Sequence, residues 1–319
     1  MADTLVLGAN AYACKFKSCR PHHISGRNCG GYGRFINIME IIPMRLSIWS
    51  SFYVHLKAEE AIERLFKNGI TCCELSDEHG FELLERSTDV VKTGKEFAKF
   101  INELGFEIPQ GHLWLRIKIC SDDSAVEKLC QWIDMYEAIG IKNMVLHCDN
   151  LVGTTLSREE KIQRNVEKLK IVAEYIKDRD VTICLENLRP HSPEDEDLID
   201  KTVDDLLYII DAIGSPRFGI CLDMGHLNLT VKNHREFILK AGKKLKALHI
   251  ADNEGVIDQH IMPFTRGTVN FVEVVKALKE VEYDGLFNLE ISGERNIPLE
   301  LRDAKIAYIQ ACYDYLMNL

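Results

Sequence analysis

Six short runs in this 319-residue chain carry an ionisable residue at or next to their ends. They are EIPQGH at His112, NMVLH at His147, VTICLE at Glu186, RFGICLD at Asp223, LKALHI at His249 and GLFNLE at Glu290. Glu186, Asp223 and Glu290 bring three carboxylates, and His249 brings an imidazole nitrogen. One divalent ion suits that donor set, Mn²⁺ first, with Mg²⁺, Co²⁺ or Zn²⁺ as alternatives. One strand-end histidine alone reads as an ordinary hydrogen-bonded rim residue. The set reads differently, because three carboxylates buried together repel one another until a cation neutralises them.

The elements that must position these residues repeat regularly from Met44 onward. Strands are expected at 45–50, 70–75, 107–112, 143–147, 181–186, 217–223, 245–250 and 285–290. Helical stretches are expected at 56–68, 89–104, 124–139, 157–178, 201–213, 232–242, 270–281 and 300–317. Ile162, Val166, Leu169, Val172 and Ile176 recur at the helical period and mark a core face. Eight alternating units over 44–319 predict a single α/β domain, a (β/α)8 TIM barrel. A doubly wound sheet would show a glycine-rich first turn, and RLSIWSSF has none. Side chains alternate along a strand, so Thr182, Cys184 and Glu186 share one face, as do Ala247 and His249, and Leu286, Asn288 and Glu290. That face points inward and ends at the carboxyl-terminal mouth, where barrel loops build active sites.

Composition narrows the remaining classes. The chain is 46 % apolar and 28 % charged, which excludes a disordered or collagen-like protein. No run approaches the roughly 18 apolar residues of a transmembrane helix, so no membrane partner is expected. A net charge of −10 opposes nucleic-acid binding. Eleven cysteines without a CxxC motif, and no signal peptide, read as reduced thiols in a cytoplasmic protein. Residues 1–43 stand apart, with Lys15, Lys17, Arg20, Arg27 and Arg34 against Asp3 and Glu40. They are expected to be a poorly ordered amino-terminal extension. Cys14, Cys19, Cys29, His22 and His23 in it match no standard zinc-finger spacing. The acidic stretch 193–200 reads as a solvated loop and helix start. His55, His79, His191 and His234 have no partners recognisable in the sequence.

The runs CLEN (184–187), CLDMGH (221–226), LHIADNEG (248–255) with DQH (258–260), and LEISGE (289–294) resemble those of the xylose-isomerase-like barrels. That superfamily includes sugar-phosphate isomerases and epimerases, ketose 3-epimerases, inosose dehydratases and endonuclease IV. The resemblance covers about 44–319. It implies that Glu186, Asp223, His249 and Glu290 are metal ligands, that Glu186 and Glu290 also move protons, and that His226 binds or polarises a substrate oxygen. Two departures stand out. MPFTRGTVNF (262–271) occupies the place of a Pro-Gly-x-Gly turn, and Gly255 the place of an arginine that ketose 3-epimerases carry.

The leading expectation is therefore a divalent-metal-dependent sugar or polyol isomerase or epimerase. It would work by carboxylate proton transfer through a metal-stabilised enediolate. Glu186, Glu290, His226 and His147 are the expected catalytic residues. His112, Trp49, Trp114, Asp258 and His260, with His226, are the expected substrate contacts, and Phe52 could help wall the sugar's apolar face. Three alternatives stay open. A lyase, inosose-dehydratase-like or cleaving a 3-oxo-glycoside, would use the same metal with His147 as an additional base. In an endonuclease IV-like repair enzyme His112, His147, Glu186, Asp223, His226, His249, Asp258, His260 and Glu290 match, in type and order, all nine ligands of a trinuclear zinc site. The third is a non-catalytic binding subunit. The partner expected is a small sugar or polyol, with a homo-oligomer or an accessory-subunit role left open.

Overall fold

The computed structural model describes residues 44–190, 197–294 and 296–319. The extension 1–43 with its cysteines and histidines, His191, and 193–196 of the acidic stretch lie outside the described residues. Eight strands, β1 (Arg45–Trp49), β2 (Cys72–Leu75), β3 (Glu107–His112), β4 (Asn143–Leu146), β5 (Thr182–Glu186), β6 (Phe218–Asp223), β7 (Leu245–His249) and β8 (Leu286–Leu289), form one parallel sheet. Its order is β7-β6-β5-β4-β3-β2-β1-β8. The ring closes just past β7. There Ile250 N–H donates to Asn288 O at 2.8 Å and Glu290 N–H donates to Ile250 O at 3.1 Å. Closure thus fixes His249 beside Glu290 through backbone bonds alone. The architecture is the expected (β/α)8 barrel.

The helices are α1 (Ala58–Lys67), α2 (Asp77–Glu85), α3 (Val90–Leu104), α4 (Ala125–Ile139), α5 (Arg158–Ile176), α6 (Val203–Ile213), α7 (Met224–Leu229), α8 (His234–Ala241), α9 (Phe271–Glu280) and α10 (Leu299–Met317). Local chemistry sets their starts. Ser157 and Glu160 form a capping box on α5, and Thr202 and Asp205 form one on α6, each satisfying otherwise orphaned backbone N–H groups. The α5 stripe from Ile162 to Ile176 is buried as its period requires. Among the described residues no helix is long and apolar enough to cross a membrane, and the eight described cysteines are free.

Two helices depart from the expected pattern. Helix α2 follows β2 directly, capped by Ser76, whose hydroxyl accepts the His79 N–H. Its central glycine, Gly80, hid it, because glycine disfavours helix interiors. Helix α7 spans six residues, too few to show a period, and the Asp223 carboxylate caps it by accepting His226 N–H at 2.6 Å. Three histidines without recognisable partners have them. His79 Nδ1 lies 2.8 Å from Ser50 Oγ, His234 Nε2 lies 2.9 Å from Met224 O, and His55 Nδ1 accepts from Arg302 at 2.9 Å.

The barrel interior divides into two chemistries. Val145, Cys184, Cys221 and Ala247 form a small apolar cluster of their own, separate from the main core between sheet and helices. Ser47, Glu74, Gln110 and Asn288 are buried polar groups bonded to one another. Outside the sheet, a Cβ on Gly80 would lie 2.2 Å from the Tyr136 hydroxyl and 2.6 Å from the Trp132 ring. Tyr136 in turn donates to the His112 carbonyl at 2.8 Å. Gly80→Val should therefore lower unfolding free energy by about 2–3 kcal/mol through overpacking. Urea denaturation checks this, and an unchanged midpoint contradicts the close packing described.

Candidate active site

Inward parity carries Glu186, Asp223, His249 and Glu290 to the mouth on β5, β6, β7 and the residue after β8. All four are buried. His249 Nδ1 is 2.9 Å from Glu290 Oε2, 3.4 Å from Glu186 Oε2 and 4.0 Å from Asp223 Oδ2. One ligand atom from each of the four lies within 4.8 Å of the others. Asp223 Oδ2, His249 Nδ1 and Glu290 Oε2 are buried without a hydrogen-bond partner. Three orphaned donor atoms converging on one point are what a bound cation would satisfy, so the residues fit a divalent ion. Asp223 reaches this geometry because its other oxygen is tied to the start of α7.

His249 is oriented from behind. Its Nε2 donates to Glu74 Oε1 at 3.0 Å. Burial would lower the imidazole, but the surrounding carboxylates lift it well above its usual range, so Nδ1 points a proton at them; a bound cation would take that proton's place on Nδ1. Glu74 is fully buried on β2, and its other oxygen accepts from Gln110 at 2.8 Å and from Asn288. The sequence reading missed Glu74. Its signal was there, as the inward-parity carboxylate of the run ITCCEL, but it sits one residue before the run's end.

Two further groups flank the tetrad. His147 Nε2 lies 2.9 Å and His112 Nε2 3.4 Å from Glu186 Oε2, and His112 Nδ1 donates to Leu113 O at 2.6 Å. On the other side, His226 Nε2 and His260 Nε2 lie 3.3 and 3.2 Å from Asp258 Oδ2. Their Nδ1 atoms donate to the carbonyls of Asn187 and Glu290 at 3.0 and 2.7 Å. A two-stranded bridge between Asp252 and Ile261 folds 253–260 back over the mouth and delivers Asp258 and His260. Here the departing stretch 262–271 has its own logic. The Asp252 carboxylate accepts Val269 N–H, and a Cβ on Gly267 would lie 2.0 Å from it.

Charge is balanced internally. Burial alone would raise the Glu186 carboxyl, but His249, His147 and His112 around it hold it well below the usual range. Burial also opposes ionised Glu290, yet His249 and His260 bring it down to about 2. Asp223 goes the other way, up to about 7, through burial and the neighbouring Glu290 and Glu186, against the pull of His226. Burial would lower His112 and His260, but Glu186 lifts the first to about 9, and Glu290 and Asp258 lift the second to about 10. Burial dominates at His147 and lowers it despite Glu186.

A cavity of about 570 Å³ opens above this cluster. His112, His147, Glu186, His226, Asp258, His260 and Glu290 line it together with Trp49, while Asp223 and His249 lie beneath. Leu115, Ile117, Val152, Leu188 and Leu198 form its apolar lining. Trp114, expected at the substrate, is outside that lining and packs on Phe81 with ring centroids 6.2 Å apart. Phe52 is buried in the core. Trp114 lies beside Leu115, which does line the cavity, so the neighbouring side chains go to different places.

A parallel eight-stranded barrel with helices between its strands and ionisable groups gathered at the carboxyl-terminal mouth is a TIM barrel. The chain belongs to the xylose isomerase-like TIM barrel family, whose model matches residues 63–312. It is 24 % identical to a D-psicose 3-epimerase of Enterocloster bolteae over 228 residues, covering 66 % of this chain and 72 % of that protein. It is 23 % identical to a probable endonuclease 4 of Mycoplasmopsis pulmonis over 258 residues, covering 76 % and 86 %. Against two uncharacterized proteins, of Methanocaldococcus jannaschii (34 % identical, 43 % of this chain) and Sinorhizobium fredii (28 %, 58 %), the chain spans only 46 % and 57 % of their length. The crystal structure of D-psicose 3-epimerase with D-tagatose from Clostridium cellulolyticum H10 shares the fold. Its TM-score is 0.71 at 17 % identity, over 86 % of this chain and 99 % of that one.

Glu74→Gln keeps the volume but removes the charge that orients His249. It should weaken Mn²⁺ binding by about 10–100-fold with the circular dichroism unchanged. Competition with a fluorescent chelator reads the affinity, and wild-type affinity in the variant contradicts the role given to Glu74.

Proposed function

We propose that this protein is a divalent-metal-dependent isomerase or epimerase acting on a sugar or polyol. The observation that carries the reading is the convergence of unpaired Asp223, His249 and Glu290 atoms with Glu186 beneath a walled cavity. Glu186, Asp223, His249 and Glu290 would hold the ion, with Mn²⁺ the expected one. When bound, the ion polarises a carbonyl oxygen and acidifies the neighbouring C–H. Glu186 and Glu290 stand on strands separated by β6 and β7, so they face a substrate from different sides. One removes a proton from carbon and the other returns a proton to the carbon framework, which inverts a centre or shifts a carbonyl without a redox cofactor. His226, in the cavity wall beside Asp258, would bind a substrate oxygen, and the apolar lining would limit water along the proton path. The same groups, with His147 as an added base, would serve elimination from a 3-oxo sugar. Product analysis separates the two outcomes.

A test uses a panel of ketoses, ketose phosphates and 3-oxo-glycosides in D₂O. Wild-type protein with Mn²⁺ should place deuterium on one carbon of a panel member. Glu290→Gln should lower that exchange by about 10²–10⁴-fold while metal is retained. Exchange at the wild-type rate in the variant contradicts the role of Glu290.

The second reading is an endonuclease IV-like repair enzyme, favoured by one observation. Beside the tetrad, His112–His147–Glu186 and His226–Asp258–His260 are among the groups compact enough to hold an ion. The walled cavity and the net charge of −10 count against a duplex ligand. Incision of a duplex containing an abasic site, with three zinc ions per chain, would establish the nuclease. A protein that leaves that duplex intact supports the sugar reading.

A further inference from the structure

The His226–Asp258–His260 group has a fourth member that no motif announced. Arg189, in the loop after β5, places Nε 3.1 Å from Asp258 Oδ2. The same oxygen already faces His226 Nε2 at 3.3 Å and His260 Nε2 at 3.2 Å. Arg189 Nε is buried and forms no regular hydrogen bond, so the contact is an ion pair, and the guanidinium is anchored by an Nη1–H bond to Pro190 O at 3.1 Å. Asp258 Oδ1 is buried without a partner. Arg189 lines the same cavity as His226, Asp258 and His260, so its charge stands beside the histidine pair at the substrate space.

We infer that Arg189 is the resident cation of the His226–Asp258–His260 group and keeps a metal ion out of it. The inference rests on the isomerase reading and adds to it why three neighbouring ligand groups would not all be filled. Arginine carries its charge at every working pH and cannot be displaced as a proton can. A divalent ion bound by Asp258 Oδ2 and the two Nε2 atoms would sit within a few ångströms of the guanidinium, and two like charges at that range repel strongly. Arg189 and the two imidazoles together compensate Asp258 without a metal, and Arg189 is the one of the three whose charge no ligand can remove. His226 Nε2 and His260 Nε2 then stay against Asp258 Oδ2, which holds both imidazoles in the cavity wall.

The test compares Zn²⁺ stoichiometry by elemental analysis after loading and desalting. Wild type, Arg189→Ala, Arg189→Lys, His260→Ala and the double variant Arg189→Ala/His260→Ala are measured, with circular dichroism confirming the fold of each. Arg189→Ala should hold one more ion per chain than wild type, and the double variant should lose that extra ion. Arg189→Lys, which keeps a cation, should match wild type, as should His260→Ala. An unchanged count in folded Arg189→Ala, or a wild-type count that drops by one in His260→Ala, overturns the role of Arg189. A wild-type protein that binds no metal at all, or that incises abasic-site DNA, overturns instead the isomerase reading beneath it.

Discussion

Three carboxylates, Glu186, Asp223 and Glu290, are buried within a few ångströms of one imidazole at the mouth of a parallel barrel. Taking such charges from water is strongly unfavourable unless opposite charge lies close by. The surrounding structure answers that constraint. His112, His147, His226 and His260 ring the carboxylates, Glu74 orients His249, and the α7 cap binds one Asp223 oxygen while leaving the other free. A divalent ion would satisfy the atoms that remain unpaired and let the histidines act as neutral hydrogen-bonding groups or ligands.

The barrel is built to hold this arrangement still. Strand pairing sets neighbouring ligands by backbone register, as Asp223 opposite His249 on β6 and β7. Small apolar side chains on the inward faces of β4 to β7, Val145, Cys184, Cys221 and Ala247, are fully buried together. The polar half of the interior, Ser47, Glu74, Gln110 and Asn288, ties β1, β2, β3 and β8 together through side chains. Loops after β3, β4 and β5 then add an apolar wall. The result is a walled cavity of about 570 Å³, sized for a small ligand more than for a duplex.

Much of this was legible in the sequence, for a definite reason. A buried parallel strand writes its inward face in alternate residues, and a βα barrel gathers strand ends at one mouth. Those two rules sufficed to bring together Glu186, Asp223, His249 and Glu290 with the flanking His112 and His147, whereas the role of His226, three residues past Asp223 in α7, came from the resemblance. Glu74 was missed because it lies one step below a strand end and acts on a ligand from behind. Arg189 was missed because its role depends on a contact 69 residues away in sequence, to Asp258, made by two irregular loops. Helices α2 and α7 carry too little period to read, and nothing periodic tells that Trp49 meets the cavity while Phe52 joins the core and Trp114 packs on Phe81. Loop geometry, unlike strand parity, leaves no periodic trace.

The central claim is that the tetrad holds one divalent ion through three carboxylates and the Nδ1 of His249. Pulsed electron paramagnetic resonance of the Mn²⁺-loaded protein tests it most directly. Bound Mn²⁺ should show coupling to one imidazole nitrogen, and that coupling should vanish in His249→Gln. Failure to bind Mn²⁺, or bound Mn²⁺ whose nitrogen coupling survives the loss of His249, would contradict the account.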